Sequence, residues 1–240
     1  MIFYDLIQQL GWCREALLAC LAVAVAIVVA LVSHEVSHGI VALMNGDDTA
    51  RRAGRLSLNP LVHFDPVGLL LMLAVGFGFA RPVPVNPQNY QNRRLGDVTV
   101  SIAGITANLL GAFFSAAFYL LCYKWFAVTE MDSAAYYISL FLTYLFLFLM
   151  SVNISFALFN ILPLYPLDGY RFIAAFTGES NGFMTFLRRN SMYIMLGIIV
   201  LDWVFTLVPA LEIYSPFYWY FNVWGDMIKN GFIAMWRLII

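Results

Sequence analysis

Charge is what this chain has least of: Asp, Glu, Lys and Arg make up 11% of its 240 residues. Soluble domains carry roughly 25% of these four types, so the scarcity argues against a water-soluble fold. An excess of one sign is missing too. The net charge is −1 and no nucleic-acid motif is visible, which argues against a polyanionic partner. Cysteine is sparse. Cys13, Cys20 and Cys122 form no metal-ligand or paired spacing, and Cys20 and Cys122 lie in apolar runs as small hydrophobes. The N-terminus lacks a basic n-region and a small-residue cleavage site, so its apolar stretch is expected to be a retained helix. No PDZ-like, nucleotide-binding or other soluble sensor module is recognisable. Residues 1–240 are therefore expected to form a single membrane-embedded domain with no separate soluble part.

What the chain has instead is apolar surface. It is 62% hydrophobic, with a mean hydropathy of +0.80, the profile of a polytopic membrane protein. Uncharged windows mark the spans. The first covers about 15–44, long enough as a helix to cross a ~30 Å hydrocarbon core. The second covers 98–123, and the third lies in the long run 133–167, whose end Pro163 and Pro166 must break. The fourth covers about 191–211 and holds one acid, Asp202. The Trp- and Tyr-rich stretch from Tyr214 reads as a last span or an interfacial helix. Segment 66–80 is too short to cross and reads as a re-entrant hairpin or tilted piece. The fold expected is an all-α polytopic membrane protein. It has about five to six transmembrane or membrane-embedded helices and a small re-entrant β element, its strands at 54–59 and 81–85.

With 66–80 re-entrant, Arg51, Arg52, Arg55, Arg81, Arg93, Arg94, Arg188 and Arg189 share one face. Arg14 and Lys124 lie on the other. The positive-inside rule puts the Arg-rich face in the cytoplasm.

At the end of the uncharged stretch ALLACLAVAVAIVVALVS stands His34-Glu35-Val36-Ser37-His38. HExxH on a helix sets two imidazoles at i and i+4 on one face, where both can bind one Zn²⁺ with the Glu beside them as general base. Titratable groups in hydrocarbon are costly and mark function. A catalytic zinc wants a third ligand. Asp168, in the Pro-broken segment 160–169 that returns to the same face, is the candidate; its competing role is to cap a short helix starting near Gly169. Asp202 is the rival carboxylate.

In order along the chain stand HEVSHG at 34–39, GRLSLNPLVHFDPVG at 54–68, ARPVPVNPQNYQNRR at 80–94, AGITAN at 103–108 and NILPLYPLDGYR at 160–171. With these motifs the chain resembles the site-2 protease family of intramembrane zinc metalloproteases, in its compact bacterial and archaeal branch. The motifs cover most of 30–175. The resemblance implies that His34, His38 and Asp168 hold one zinc per chain and that Glu35 is the catalytic base. It departs at Gly104, followed by Ile105 where the family often has Gly-Pro. The activity expected is hydrolysis of peptide bonds in or near transmembrane helices of membrane-protein substrates, as in regulated intramembrane proteolysis. The place expected is a prokaryotic inner or plasma membrane, with the site toward the cytoplasm. The partners expected are the substrate, the bilayer and a regulatory membrane protein; the oligomeric state is not written in the sequence.

Two alternatives are a catalytically silent scaffold of the same architecture and a zinc or proton transporter. The intact His34, Glu35, His38 and Asp168 argue against the first, and a single further intramembrane acid, Asp202, too few for a relay, argues against the second. Ser101, Gly104, Asn108 and Gly111 recur at helical spacing as a packing seam. Asn108 and Asn160 are candidate donors to a scissile carbonyl or its oxyanion. His63, beside Asp65, reads as a loop histidine bonded to its neighbours.

Overall fold

The computed structural model describes residues 13–63, 65, 68, 81–178, 180–207 and 209–240. The expected re-entrant segment 66–80 lies almost wholly outside them. The helices are α1 Arg14–Met44, α2 Thr49–Arg52, α3 Arg93–Phe126, α4 Ala134–Asn160, α5 Asp168–Thr177, α6 Gly182–Thr206 and α7 Trp224–Arg237. Of these, α1, α3, α4 and α6 are long and apolar enough to cross a membrane. Among the described residues there is no strand. The piece 81–85 is tied to the loop 54–63 instead, by a backbone bond from Arg81 N–H to His63 O, 2.8 Å, and by Arg55, whose Nη2 donates to Arg81 O at 2.5 Å.

Local chemistry sets the helix starts. Asn92 caps α3 by accepting the Leu95 N–H at 3.0 Å, Ser133 caps α4 from Tyr136 N–H at 3.0 Å, and Asn181 caps α6 from Phe183 N–H at 2.9 Å. The fourth helix therefore starts at Gly182, earlier than the uncharged window suggests, because a cap and not a charge boundary begins it. It ends at Thr206, shortly before Pro209.

Helices α1, α3 and α4 pack mutually into the central layer. Small residues make this possible: Ala16, Ala19, Ala22, Ala26 and Ala30 of α1 are all buried. In an apolar solvent no hydrophobic force drives helices together, so close backbone approach supplies the packing energy. Large apolar residues such as Leu17, Leu21, Phe114 and Leu121 face outward, as lipid contact demands. The C-terminal helix joins this layer. Ile228, Phe232, Ile233 and Trp236 pack on Ala112, Ala116, Met150 and Ile154. Tyr220 Oη donates to Leu158 O at 2.8 Å, and Lys124 Nζ to Ile240 O at 2.7 Å. Leu158 lies in the last turn of α4 and Lys124 in the last turn of α3, so the C-terminal segment runs the length of that pair. Asp202, the rival carboxylate, accepts from the Ser215 hydroxyl and from Phe217 N–H at 3.2 Å, clipping α6 to the segment after it.

Asp47, just past α1, is buried and ties the loop ahead of α3 to the end of α1. It accepts from Thr49 N–H (3.1 Å), the Thr49 hydroxyl, Asn86 N–H (2.6 Å) and Asn89 Nδ2 (2.8 Å). Burial by itself pushes this carboxyl up. The four donors outweigh it and hold the pKa below the ordinary carboxylate value. A carboxyl whose pKa is lower folded than unfolded adds stability that is complete above the unfolded value and is lost as pH falls through the folded one. Asp47→Asn should therefore cost about 1–3 kcal/mol at neutral pH, with the gap to the native chain closing below about pH 4. Melting curves of the two chains across that pH range check it.

Candidate metal centre

The last three turns of α1 carry His34, Glu35 and His38. The histidines are buried, 7% and 6% exposed, and Glu35 is half-buried. Helix α3 lies so close that a Cβ on Gly104 would stand 2.6 Å from His34 Nδ1 and would also overlap His34 Cε1 and His38 Nε2. Only glycine lets the two helices meet at this level.

Hydrogen bonds fix both imidazoles. His38 Nδ1 donates to Val100 O at 2.7 Å, and His34 Nδ1 to Asn108 Oδ1 at 2.6 Å. The Asn108 amide has one orientation, because its Nδ2 donates to Asn153 Oδ1 at 2.8 Å and to Ala30 O at 3.2 Å. Asn153 is anchored in turn, its Nδ2 donating to Leu149 O at 2.7 Å. With both Nδ1 atoms protonated, each Nε2 presents a lone pair.

The third group comes from the turn after α4. Asp168 is the first residue of α5, 4% exposed. It does not cap the helix. The capping position is Leu167, which makes no side-chain bond, and Asp168 Oδ2 is buried without a hydrogen-bond partner. That oxygen lies 3.4 Å from His34 Nε2 and 3.2 Å from His38 Nε2, and the two Nε2 atoms are 3.2 Å apart. Gly169 makes the placement possible: a Cβ there would run into Ile161 O and Leu162 O.

Three acceptors thus converge in an apolar bundle with no donor between them. One proton bridges only two of them; a divalent cation satisfies all three. Ligand atoms about 2.0–2.1 Å from a tetrahedral zinc stand roughly 3.3–3.4 Å from one another, close to the spacing seen here. The residues fit zinc, with a fourth position left to another ligand. Among the described residues His34, His38 and Asp168 are the group placed to hold a metal.

A family model described as peptidase family M50 matches residues 22–202. The chain belongs to peptidase family M50, the site-2 protease family. It is 45% identical over 164 residues to the "Putative zinc metalloprotease YwhC" of Bacillus subtilis (strain 168), covering 64% of this chain and 73% of that protein. No solved structure matches significantly. Family M50 makes this chain a zinc metalloprotease, and its four apolar helices agree with an integral membrane protein.

The remaining expected residues divide. Asn108 is fully buried and its amide is used by His34, Ala30 and Asn153. Asn160 ends α4, and its Nδ2 donates to Phe156 O at 3.0 Å. His63 Nε2 donates to Ser57 O at 2.8 Å, apart from the metal group. Sequence inspection missed Val100 and Asn153. Asn153 had a signal, an amide inside the uncharged run 133–167; Val100 had none, because its main-chain carbonyl does the work.

Gly104→Ala should strip the metal from otherwise folded protein, while Gly197→Ala, where a Cβ meets nothing within 4 Å, should not. Asn108→Ala should weaken zinc affinity about 10–100-fold. Zinc per purified chain, measured under competition with a chelator, checks both.

Proposed function

We propose that this metalloprotease is of the HExxH type and hydrolyses peptide bonds in or near transmembrane helices of membrane-protein substrates. The observation that carries this reading is the buried convergence of His34, His38 and Asp168 between apolar helices. These three side chains would hold one zinc per chain. When bound, zinc makes water a competent nucleophile near neutral pH and polarises a carbonyl.

The chain's own residues supply the rest. Glu35 follows His34 on the same turn, and its Oε2 accepts the Val83 N–H at 2.9 Å. That bond fixes the position of the carboxyl group, leaving Oε1 to take a proton from the attacking water and return it to the leaving amine. The Asn108–Asn153 pair and the Val100 carbonyl keep both imidazoles in the required tautomer. Asn160 is assigned to the scissile carbonyl, once its side chain leaves Phe156 O.

A helical substrate hides its carbonyls in i to i−4 bonds, so it must unwind before attack. The strip 81–85 is where the unwound chain would pair. It is held by Arg55 on one side and by Glu35 on the other. Arginines cluster at the end of the chain's spans that carries the site. This supports a cytoplasm-facing active site in a prokaryotic inner or plasma membrane, with regulation by a membrane partner.

Glu35→Gln should keep one zinc and lower cleavage of a tagged single-span substrate in proteoliposomes by about 10²-fold or more. Asp168→Ala should lose the zinc itself. Undiminished turnover in the first variant removes Glu35 from the base role, and full zinc in the second removes Asp168 from the ligand set.

A further inference from the structure

Beside the metal centre, between the start of α3 and α5, lies a cavity of about 800 Å³. Its lining includes Arg94 and Arg171, together with Arg93, which engages Asp97 at 2.7 Å, and Arg188, which has a partner of its own. Arg94 stacks over Phe176 with its guanidinium carbon 5.3 Å from the ring centre, and Arg188 over Tyr165 at 5.6 Å. Stacking on a ring face leaves the edge N–H groups of a guanidinium pointing away from the ring, in the plane that suits bidentate bonds to an oxyanion. Tyr90 also lines the cavity, its ring laid against Gly96, where any Cβ would collide with it. Burial, with Asp47 and Asp97 nearby, pushes its pKa up to about 12, so it stays a neutral hydroxyl donor. The cavity is built for an anion rich in oxygens.

A second cavity of about 590 Å³ adjoins it, sharing Tyr165 and Arg188. This one is apolar. Met192, Met195, Leu196 and Ile199, at i, i+3, i+4 and i+7 on α6, form one wall, with Phe159 and Leu167 opposite. Basic and greasy halves are therefore contiguous through Arg188. Their level along the chain is also informative. Arg94 and Asp97 immediately precede the uncharged run 98–123, and Arg188 and Arg189 precede the uncharged run 190–201. Charges at the mouths of spans stand at headgroup depth, where the abundant anion is a phosphodiester.

We propose that the paired cavities bind one anionic glycerophospholipid, its phosphate between Arg94 and Arg171 and an acyl chain along the α6 face. A peptide carboxylate would satisfy the basic half and leave the apolar half unexplained. The lipid would bridge elements that hold the metal centre. Val100, whose carbonyl orients His38, lines the basic cavity, and Arg171 lies one turn beyond Asp168 on α5. Bound lipid would therefore tie α3 to α5 and secure the Asp168 arm.

The test uses the full chain, purified and delipidated in detergent. Dioleoyl phosphatidylglycerol, dioleoyl phosphatidylcholine and free glycerol 3-phosphate are each titrated, with native mass spectrometry and melting temperature as readouts. Phosphatidylglycerol should bind at least about tenfold more tightly than phosphatidylcholine and raise the melting temperature. Arg94→Gln with Arg171→Gln should abolish that preference, and Arg51→Gln with Arg52→Gln, on the loop after α1, should keep it. If the first double variant does not fold, Arg171→Gln alone serves. Equal binding of the two lipids by the native chain overturns the proposal, as does a preference that survives loss of Arg94 and Arg171. The whole melting shift from glycerol 3-phosphate would mark a soluble-phosphate site instead, and displacement of the lipid by an acidic peptide a substrate subsite; either overturns the lipid assignment.

Discussion

The imidazoles of His34 and His38 lie directly against the Cα of Gly104, where no side chain fits. That approach brings the Val100 carbonyl and the Asn108 amide of α3 within reach of both Nδ1 atoms. In a bundle surrounded by hydrocarbon, every buried polar atom needs a partner inside the protein. The chain meets this demand in series: Leu149 O holds Asn153, Asn153 holds Asn108, and Asn108 holds His34. The small residues of α1 and α3 are the condition for the series, because only short side chains let three helices share one polar line.

The third arm obeys the same constraint by a different route. Asp168 sits in the first turn of its helix, where a carboxylate usually faces the free N–H groups, yet its Oδ2 makes no hydrogen bond and lies against the histidines. The backbone of Ile161 and Leu162 presses on Gly169, so the turn after α4 has little freedom. Rigid positioning matters because a metal ligand displaced by 1 Å is a ligand lost. Outside the bundle, Asp47 and Arg55 do comparable work. They fix the segment ahead of α3 so that the Val83 N–H meets Glu35. The basic cavity lies at the same end, and its walls are the elements that carry Val100 and Asp168.

Much of this was legible in the chain. An uncharged stretch ending in HEVSH declares both a span and two candidate ligands with a candidate base, because helical period places i and i+4 together whatever the fold does next. The four long apolar helices among the described residues and the Ser101–Gly104–Asn108–Gly111 seam follow from composition and period. Helix ends were less legible: α6 begins at Gly182 because Asn181 caps it, a local bond that a hydropathy window does not see.

The sequence by itself determined the apolar spans and the His34–Glu35–His38 face, since these depend on residue type and local period alone. Tertiary structure decided which carboxylate meets the histidines. Asp168 closes on them, while Asp202 turns to Ser215 and Phe217. It decided that Asn108 grips His34 and that a main-chain carbonyl grips His38. It also gathered arginines from α3, α5 and α6 around one cavity. The physical reason is common to all four. Each is a meeting of groups distant in sequence, fixed by how closely helices approach, and backbone atoms that carry no residue identity take part in the bonding.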